Sequence, residues 1–79
     1  MKVKVKLYGT LGLRVPGYQH SQGIGIELPE GATVNDLLVF LKIAESQGAV
    51  VAIDGRIRKS DNKIPDGAQA KIFQAVGGG

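Results

Sequence analysis

Ile24-Gly25-Ile26-Glu27-Leu28-Pro29-Glu30-Gly31-Ala32-Thr33-Val34-Asn35-Asp36-Leu37-Leu38-Val39-Phe40-Leu41 changes its hydrophobic period halfway along. Ile24, Ile26 and Leu28 alternate with Gly25 and Glu27, the period of a strand with one buried face. Pro29-Glu30-Gly31 breaks that pattern as a turn. Thr33 then fits an N-cap, and Asp36 stands three residues on, in the position of a shortened capping box. Val34, Leu37, Leu38 and Leu41 follow at i, i+3, i+4 and i+7, one apolar face of a short helix. Phe40 falls to one side of that stripe. The spacing predicts a helix ending near Lys42 to Ala44, before Gly48.

Working outward, residues 2 to 7 alternate strictly, Lys2, Lys4 and Lys6 against Val3, Val5 and Leu7. This is a strand whose valine side is buried and whose lysine side faces water or an acidic partner. The strand at Ile24 returns to pair with it. Between them, residues 9 to 23 carry Gly9, Gly12, Pro16, Gly17 and Gly23 as breakers. Leu11, Leu13 and Val15 suit either a strand extension or a short helical turn. So long a connection is functional or mobile in a compact domain, and His20 sits in its polar tip with no metal or triad partner in view.

On the other side of the helix, Val50-Val51-Ala52-Ile53 is apolar on both faces and reads as an interior strand. Asp54-Gly55 is a two-residue hairpin signal leading into Arg56-Ile57-Arg58. A polar segment anchored by Ile64 and a turn at Pro65-Asp66-Gly67 deliver the chain into a last strand over residues 69 to 74. Two hairpins flanking one helix give an α+β β-grasp, with a mixed sheet of four to five strands and one main helix on one face.

With 79 residues the chain is one small domain, near the size at which a single core only just suffices. There is no cysteine, which excludes disulfides and cysteine-based metal sites. No apolar run reaches the length of a membrane span and no signal peptide is evident, so the expected location is cytoplasmic, with no membrane partner. The net charge of +3 is mild and spread out, and Tyr8, Tyr18, Phe40 and Phe73 are too scattered in sequence for a base-stacking platform. No nucleic acid is expected. The carboxylates fall mostly at turns and caps, where local backbone bonding accounts for them. No catalytic side chain and no metal ligand set emerges.

The stretch Ala75-Val76-Gly77-Gly78-Gly79 cannot be explained by packing. Three successive glycines lose the most entropy on ordering and offer nothing to bury. Residues 1–76 are therefore read as the β-grasp domain and 77–79 as a flexible glycine tail, thin enough to thread a narrow channel. Parity along the last strand sends Ala70, Ile72 and Gln74 one way and Lys71, Phe73 and Ala75 the other. A lysine beside an aromatic does not belong under a helix, so Ile72 is assigned to the core and Phe73 to the outer face. In a β-grasp the first and last strands are parallel neighbours, which puts Lys2, Lys4 and Lys6 on that same outer face.

Taken together, Leu28-Pro29-Glu30-Gly31-Ala32-Thr33-Val34 before Leu37-Leu38, Asp54-Gly55, Asp66-Gly67 and the terminal glycines resemble the small ubiquitin-like sulfur carriers of the MoaD/ThiS family over essentially the whole chain. The opening Val5-Lys6-Leu7-Tyr8-Gly9-Thr10-Leu11 and the long first loop look like MoaD. The end, Phe73 to Gly79, looks more like ThiS, since MoaD proteins commonly carry Pro-Pro where this chain has Gln74-Ala75.

The resemblance implies a carrier and not an enzyme. Gly79 would be adenylated and converted to a thiocarboxylate, Gly77 and Gly78 would thread the partner's channel, and sulfur would pass to molybdopterin. Alternatives are sulfur donation to the thiazole of thiamine, and a protein modifier conjugated through Gly79. A plain interaction domain is a further reading. The implied partners are a ubiquitin-activating-like adenylyltransferase and a large synthase subunit or thiazole synthase. The carrier would be a monomer when free and hold no cofactor, ATP being used by the activating enzyme. Partner docking would fall to Phe73, Ala75, Val76, Lys71, Lys4 and Lys6.

Overall fold

A computed structural model describes residues 1–43 and 49–74. Five strands form one sheet in the order β2-β1-β5-β3-β4, with β1 at Lys2–Leu7, β2 at Ile24–Glu27, β3 at Ala49–Ile53, β4 at Arg56–Arg58 and β5 at Gln69–Gln74. β1 and β5 run parallel, with Lys4 opposite Gln69, Lys6 opposite Lys71 and Leu7 opposite Ile72. The flanking pairs β1–β2, β3–β5 and β3–β4 are antiparallel. This is the expected β-grasp.

One helix, α1 at Val34–Phe40, covers one sheet face. Its start follows from sequence-local bonding. Thr33 Oγ1 accepts from Asp36 N at 3.2 Å, and Asp36 Oδ2 accepts from Thr33 N at 2.9 Å, closing the capping box. The amides of Val34 and Asn35 donate to the carbonyls of Asn62 and Ser60, so the polar segment after β4 is tied to the helix. The helix ends at Phe40, two to four residues before the expected Lys42 to Ala44. Lys42 adopts φ 59, Lys42 N bonds Val39 O, and Ile43 N bonds Leu38 O, a Schellman-type stop after the cap at Leu41.

The core lies between α1 and the sheet. Val3, Val5, Leu7, Val51, Ile53, Ala70 and Ile72 point inward and meet Val34, Leu37 and Leu38. At about 1.5–3 kcal/mol for each large apolar side chain, this burial is the main favourable term in so small a chain. Ile64 is buried, as the single anchor of its segment. Phe40 and Val39 stay exposed.

Turn chemistry sets the register. Asp54 (φ 49) and Gly55 (φ 85) both take left-handed backbone, the requirement of a tight hairpin twisted to match its strands. Asp54 also pairs twice with β5, its amide donating to Gln69 O at 2.9 Å and its Oδ1 accepting from Gln69 N at 3.0 Å. Gly23, at φ 68, has a stricter reason to be glycine, since a Cβ there would stand 2.7 Å from Val5 O.

The long connection resolves the open choice at Leu11 to Val15 in favour of helix. Gly9–Arg14 is a 3-10 helix with Leu11 buried and Leu13 84% exposed. The rest of the connection is organised by Tyr18, whose Oη accepts from Leu7 N at 2.7 Å and donates to Leu7 O at 3.2 Å. Its ring packs on bare backbone, because a Cβ on Gly12 would come within 2.9 Å of it.

Candidate docking site at the base of the C-terminal tail

The sheet face opposite α1 gathers the residues that parity assigned to it. Lys4 and Lys6 from β1 and Lys71 from β5 line one shallow depression together with Gln69. Lys6 and Lys71 stand side by side across the parallel pair. Like charges so placed oppose each other and cost stability, which an acidic partner would relieve.

Phe73 lies on the same face, 37% exposed, opposite Val50 on β3. It is not an isolated anchor. Tyr8 occupies the position after β1 that continues the Lys2-Lys4-Lys6 alternation, and its ring stacks on Phe73 with centroids 4.5 Å apart. His20 meets Tyr8 edge-on at 4.7 Å and Tyr18 at 6.2 Å. With its proton on Nδ1, His20 donates to Leu7 O at 3.2 Å. The polar tip residue is thus held by ring and backbone contacts. Tyr8, Tyr18 and Phe73, scattered along the sequence, converge here, while Phe40 lies elsewhere, on the helix. The signal for Tyr8 was present in the period of β1; none existed for Tyr18 or His20, whose contacts are set by the path of the connection.

The strand end is held from both flanks. Tyr8 N donates to Ile72 O at 3.0 Å, and Thr10 Oγ1 donates to the Gln74 side-chain oxygen at 2.8 Å. On the other side Ala49 pairs with Gln74. Gln74 is exposed, although parity placed it with Ile72 on the core side; at the last residue of β5 the core has run out. Ala75, Val76, Gly77, Gly78 and Gly79 lie outside the described residues.

Among the described residues no group of three His, Cys, Asp or Glu side chains is placed to hold a metal ion, and no helix is long and apolar enough to cross a membrane. The described site offers apolar and cationic contacts beside the strand that leads into the glycines. That arrangement suits recognition of another protein.

Solved structures share this fold. A Pyrococcus furiosus protein assigned as molybdopterin converting factor subunit 1 is 27% identical, with a TM-score of 0.75 over 94% of this chain and 97% of its own. Small archaeal modifier protein 1 of Haloferax volcanii superposes with a TM-score of 0.73 at 15% identity, over 92% of this chain and 95% of its own. A structure of the complex of subunits 1 and 2 of molybdopterin-converting factor from Helicobacter pylori matches at TM-score 0.60 and 18% identity, over the whole of both chains. At those two lower identities the likeness is one of fold. No curated protein sequence matches the chain. The ThiS family model matches residues 13–79, and with its ubiquitin-like β-grasp the chain belongs to the ThiS family.

Proposed function

We propose that this protein is a sulfur carrier that is activated at Gly79 and donates sulfur in molybdopterin synthesis. The observation that carries the reading is the sequence run Gly77-Gly78-Gly79, separated by two residues from the last residue of β5, in a chain of the ThiS family. A carboxylate acylates poorly because its leaving group is oxide. In the proposed scheme a Gly79 carboxylate oxygen attacks the α-phosphorus of ATP and pyrophosphate leaves. Sulfide, as HS⁻, then attacks the acyl carbon, AMP leaves and the sulfur loses its proton, giving the thiocarboxylate. The carrier contributes no catalytic group of its own. ATP belongs to a ubiquitin-activating-like adenylyltransferase, and the sulfur acceptor is made on a larger synthase subunit. The Tyr8–Phe73 pair and the lysines would dock these partners, with Ala75 and Val76 leading into the channel and Gly77 and Gly78 threading it.

Molybdopterin is favoured by the 27% identity to the Pyrococcus protein over nearly the full length of both. A second reading, sulfur donation to the thiazole of thiamine, is favoured by the family model itself and by Gln74-Ala75 at the start of the tail. The intact mass of protein from its native cell is the test. One oxygen exchanged for sulfur supports the carrier, and its loss on adding the large synthase subunit with the pterin precursor selects molybdopterin. Discharge only with thiazole synthase selects the second reading. Isopeptide-linked conjugates through Gly79, with no sulfur form, would overturn both in favour of a protein modifier.

A further inference from the structure

Beside the Tyr8–Phe73 pair the connection after β1 encloses an open hollow of about 480 Å³, lined by Tyr8, Gly9, Gly12, Leu13, Tyr18 and His20. That volume is in the range of sites that take small organic groups, about 300–1,000 Å³. Its wall is already in place: Tyr18 is fixed by two bonds to Leu7, and its ring lies on the bare backbone of Gly12. At Gly9 nothing stands within 4 Å of where a Cβ would be, so the backbone there is open to a visitor. Leu13, 84% exposed, forms part of its lining and serves no packing role in the fold. No carboxylate lines the hollow, and the depression along the same sheet face carries three lysines.

We propose that this hollow seats one aromatic or large aliphatic side chain of a partner protein, from a segment whose flanking residues are carboxylates that pair with Lys4, Lys6 and Lys71. The site deepens the docking reading above by naming a second anchor point and the chemistry of the segment that fills it. Charge complementarity selects an acidic segment over a basic one. The Tyr8–Phe73 stack covers one face of each ring, which leaves fewer faces for successive bases and favours a polypeptide over a single-stranded nucleic acid. Tyr8 both lines the hollow and stacks on Phe73, so the hollow and the Phe73 surface adjoin as one footprint.

The test uses the whole, isotope-labelled protein and short capped peptides, and so does not depend on adenylation. Acetyl-Asp-Glu-Phe-Glu-Asp-amide is titrated while amide shifts are followed. The expected result is coupled, saturable movement at Gly9, Gly12 and Leu13 together with Lys6 and Lys71, with an affinity of about millimolar or tighter. Replacing the peptide's Phe by Ala should remove the hollow's response, and a Lys-Lys-Phe-Lys-Lys peptide should not bind. Leu13→Asp should weaken binding by about tenfold, a change of about 1.4 kcal/mol, with Leu13→Ser intermediate and thermal unfolding unchanged in both. Shifts confined to the lysines, equal for the Phe and Ala peptides, would overturn the proposal, as would tighter binding of an eight-residue oligothymidylate at the same residues. If the peptide binds as expected but Gly79 is never activated, the hollow stands and the sulfur-carrier reading falls.

Discussion

Tyr8 and Phe73, from opposite ends of the chain, stack with centroids 4.5 Å apart and planes 23° apart. The parallel pairing of β1 with β5 makes this contact, since it sets Leu7 beside Ile72 and the next residues beside each other. An aromatic surface is therefore held where the parallel strands β1 and β5 end.

Phe73→Ala removes that stack together with a ring that is 37% exposed. The lost aromatic pair should lower stability by about 0.5–1.5 kcal/mol. Binding to the activating enzyme or synthase should weaken by about 1–3 kcal/mol, because anchors of this kind dominate protein interfaces. Thermal unfolding and partner affinity are measured on the same variant. Full binding with a large loss of stability would make Phe73 a core residue and remove it from the docking face.

Tyr18→Phe keeps the ring on Gly12 but deletes the hydroxyl that accepts from Leu7 N. That amide is left without its partner close to the buried end of β1, at a cost of about 1–3 kcal/mol. Chemical denaturation should show the loss. Amide exchange at Leu7 should accelerate while the β3–β5 amides stay protected. Exchange unchanged at Leu7 would mean that the hydroxyl does not hold the connection to the strand.

Asp54 carries a turn and a bond at once. Asp54→Ala puts a Cβ-bearing residue that does not favour φ 49 into the hairpin and removes the acceptor for Gln69 N. The two effects together should cost about 2–4 kcal/mol. Asp54→Asn tolerates the left-handed backbone and keeps an oxygen acceptor, so it should cost well under half as much. Equal losses in the two variants, read from urea titrations, would show that neither the backbone preference nor the acceptor matters here.

What the chain discloses as sequence is what depends on near neighbours. The Thr33–Asp36 box, the Asp54-Gly55 hairpin and the inward parity of Ala70 and Ile72 all rest on local bonding or on a period of two, and each is legible without coordinates. The outer face was legible too, since Phe73 beside Lys71 is a poor occupant of a core. The connection from Gly9 to Gly23 was not. Its conformation depends on a hydroxyl reaching back to Leu7 and on a glycine that leaves room for a ring, and neither fact has a spacing signature. For the same reason Thr10 gripping Gln74 and His20 meeting Tyr8 could not be read from the chain. The stop at Lys42 was hidden differently: left-handed backbone at a lysine has no signature in the sequence, so the spacing predicts an end a few residues beyond Phe40.

The lysines should act on rate before they act on affinity. Lys4, Lys6 and Lys71 are grouped on one exposed face, where charge steers approach more than it holds a complex. Replacing all three by glutamate should slow association with an acidic partner by about tenfold or more at low ionic strength. The deficit should shrink as salt shortens the screening length to about 8–10 Å. Stopped-flow association over a salt series is the measurement. A loss confined to the dissociation rate and indifferent to salt would place these lysines in close pairs and not in a steering field.

The terminal position is the most demanding part of the proposed chemistry. If the Gly79 carboxylate is the group that attacks ATP, its reacting oxygen must be delivered within a fraction of an ångström to the α-phosphorus. The root of the tail is set by β5, whose last residue pairs with Ala49 and is gripped by Thr10. Deleting Gly79, or adding one residue after it, displaces the reacting group by about 3.5 Å relative to that root. A misplacement of even about 1 Å can cost a hundredfold in rate, so ATP–pyrophosphate exchange should fall below detection in both variants. Gly78→Leu should do comparable harm by putting a side chain into a channel shaped for backbone alone. Glycine has no side chain to bury, so thermal unfolding should be unchanged. Normal exchange in the lengthened and shortened variants would show that activation does not occur at this glycine, and the sulfur-carrier reading would fail with it.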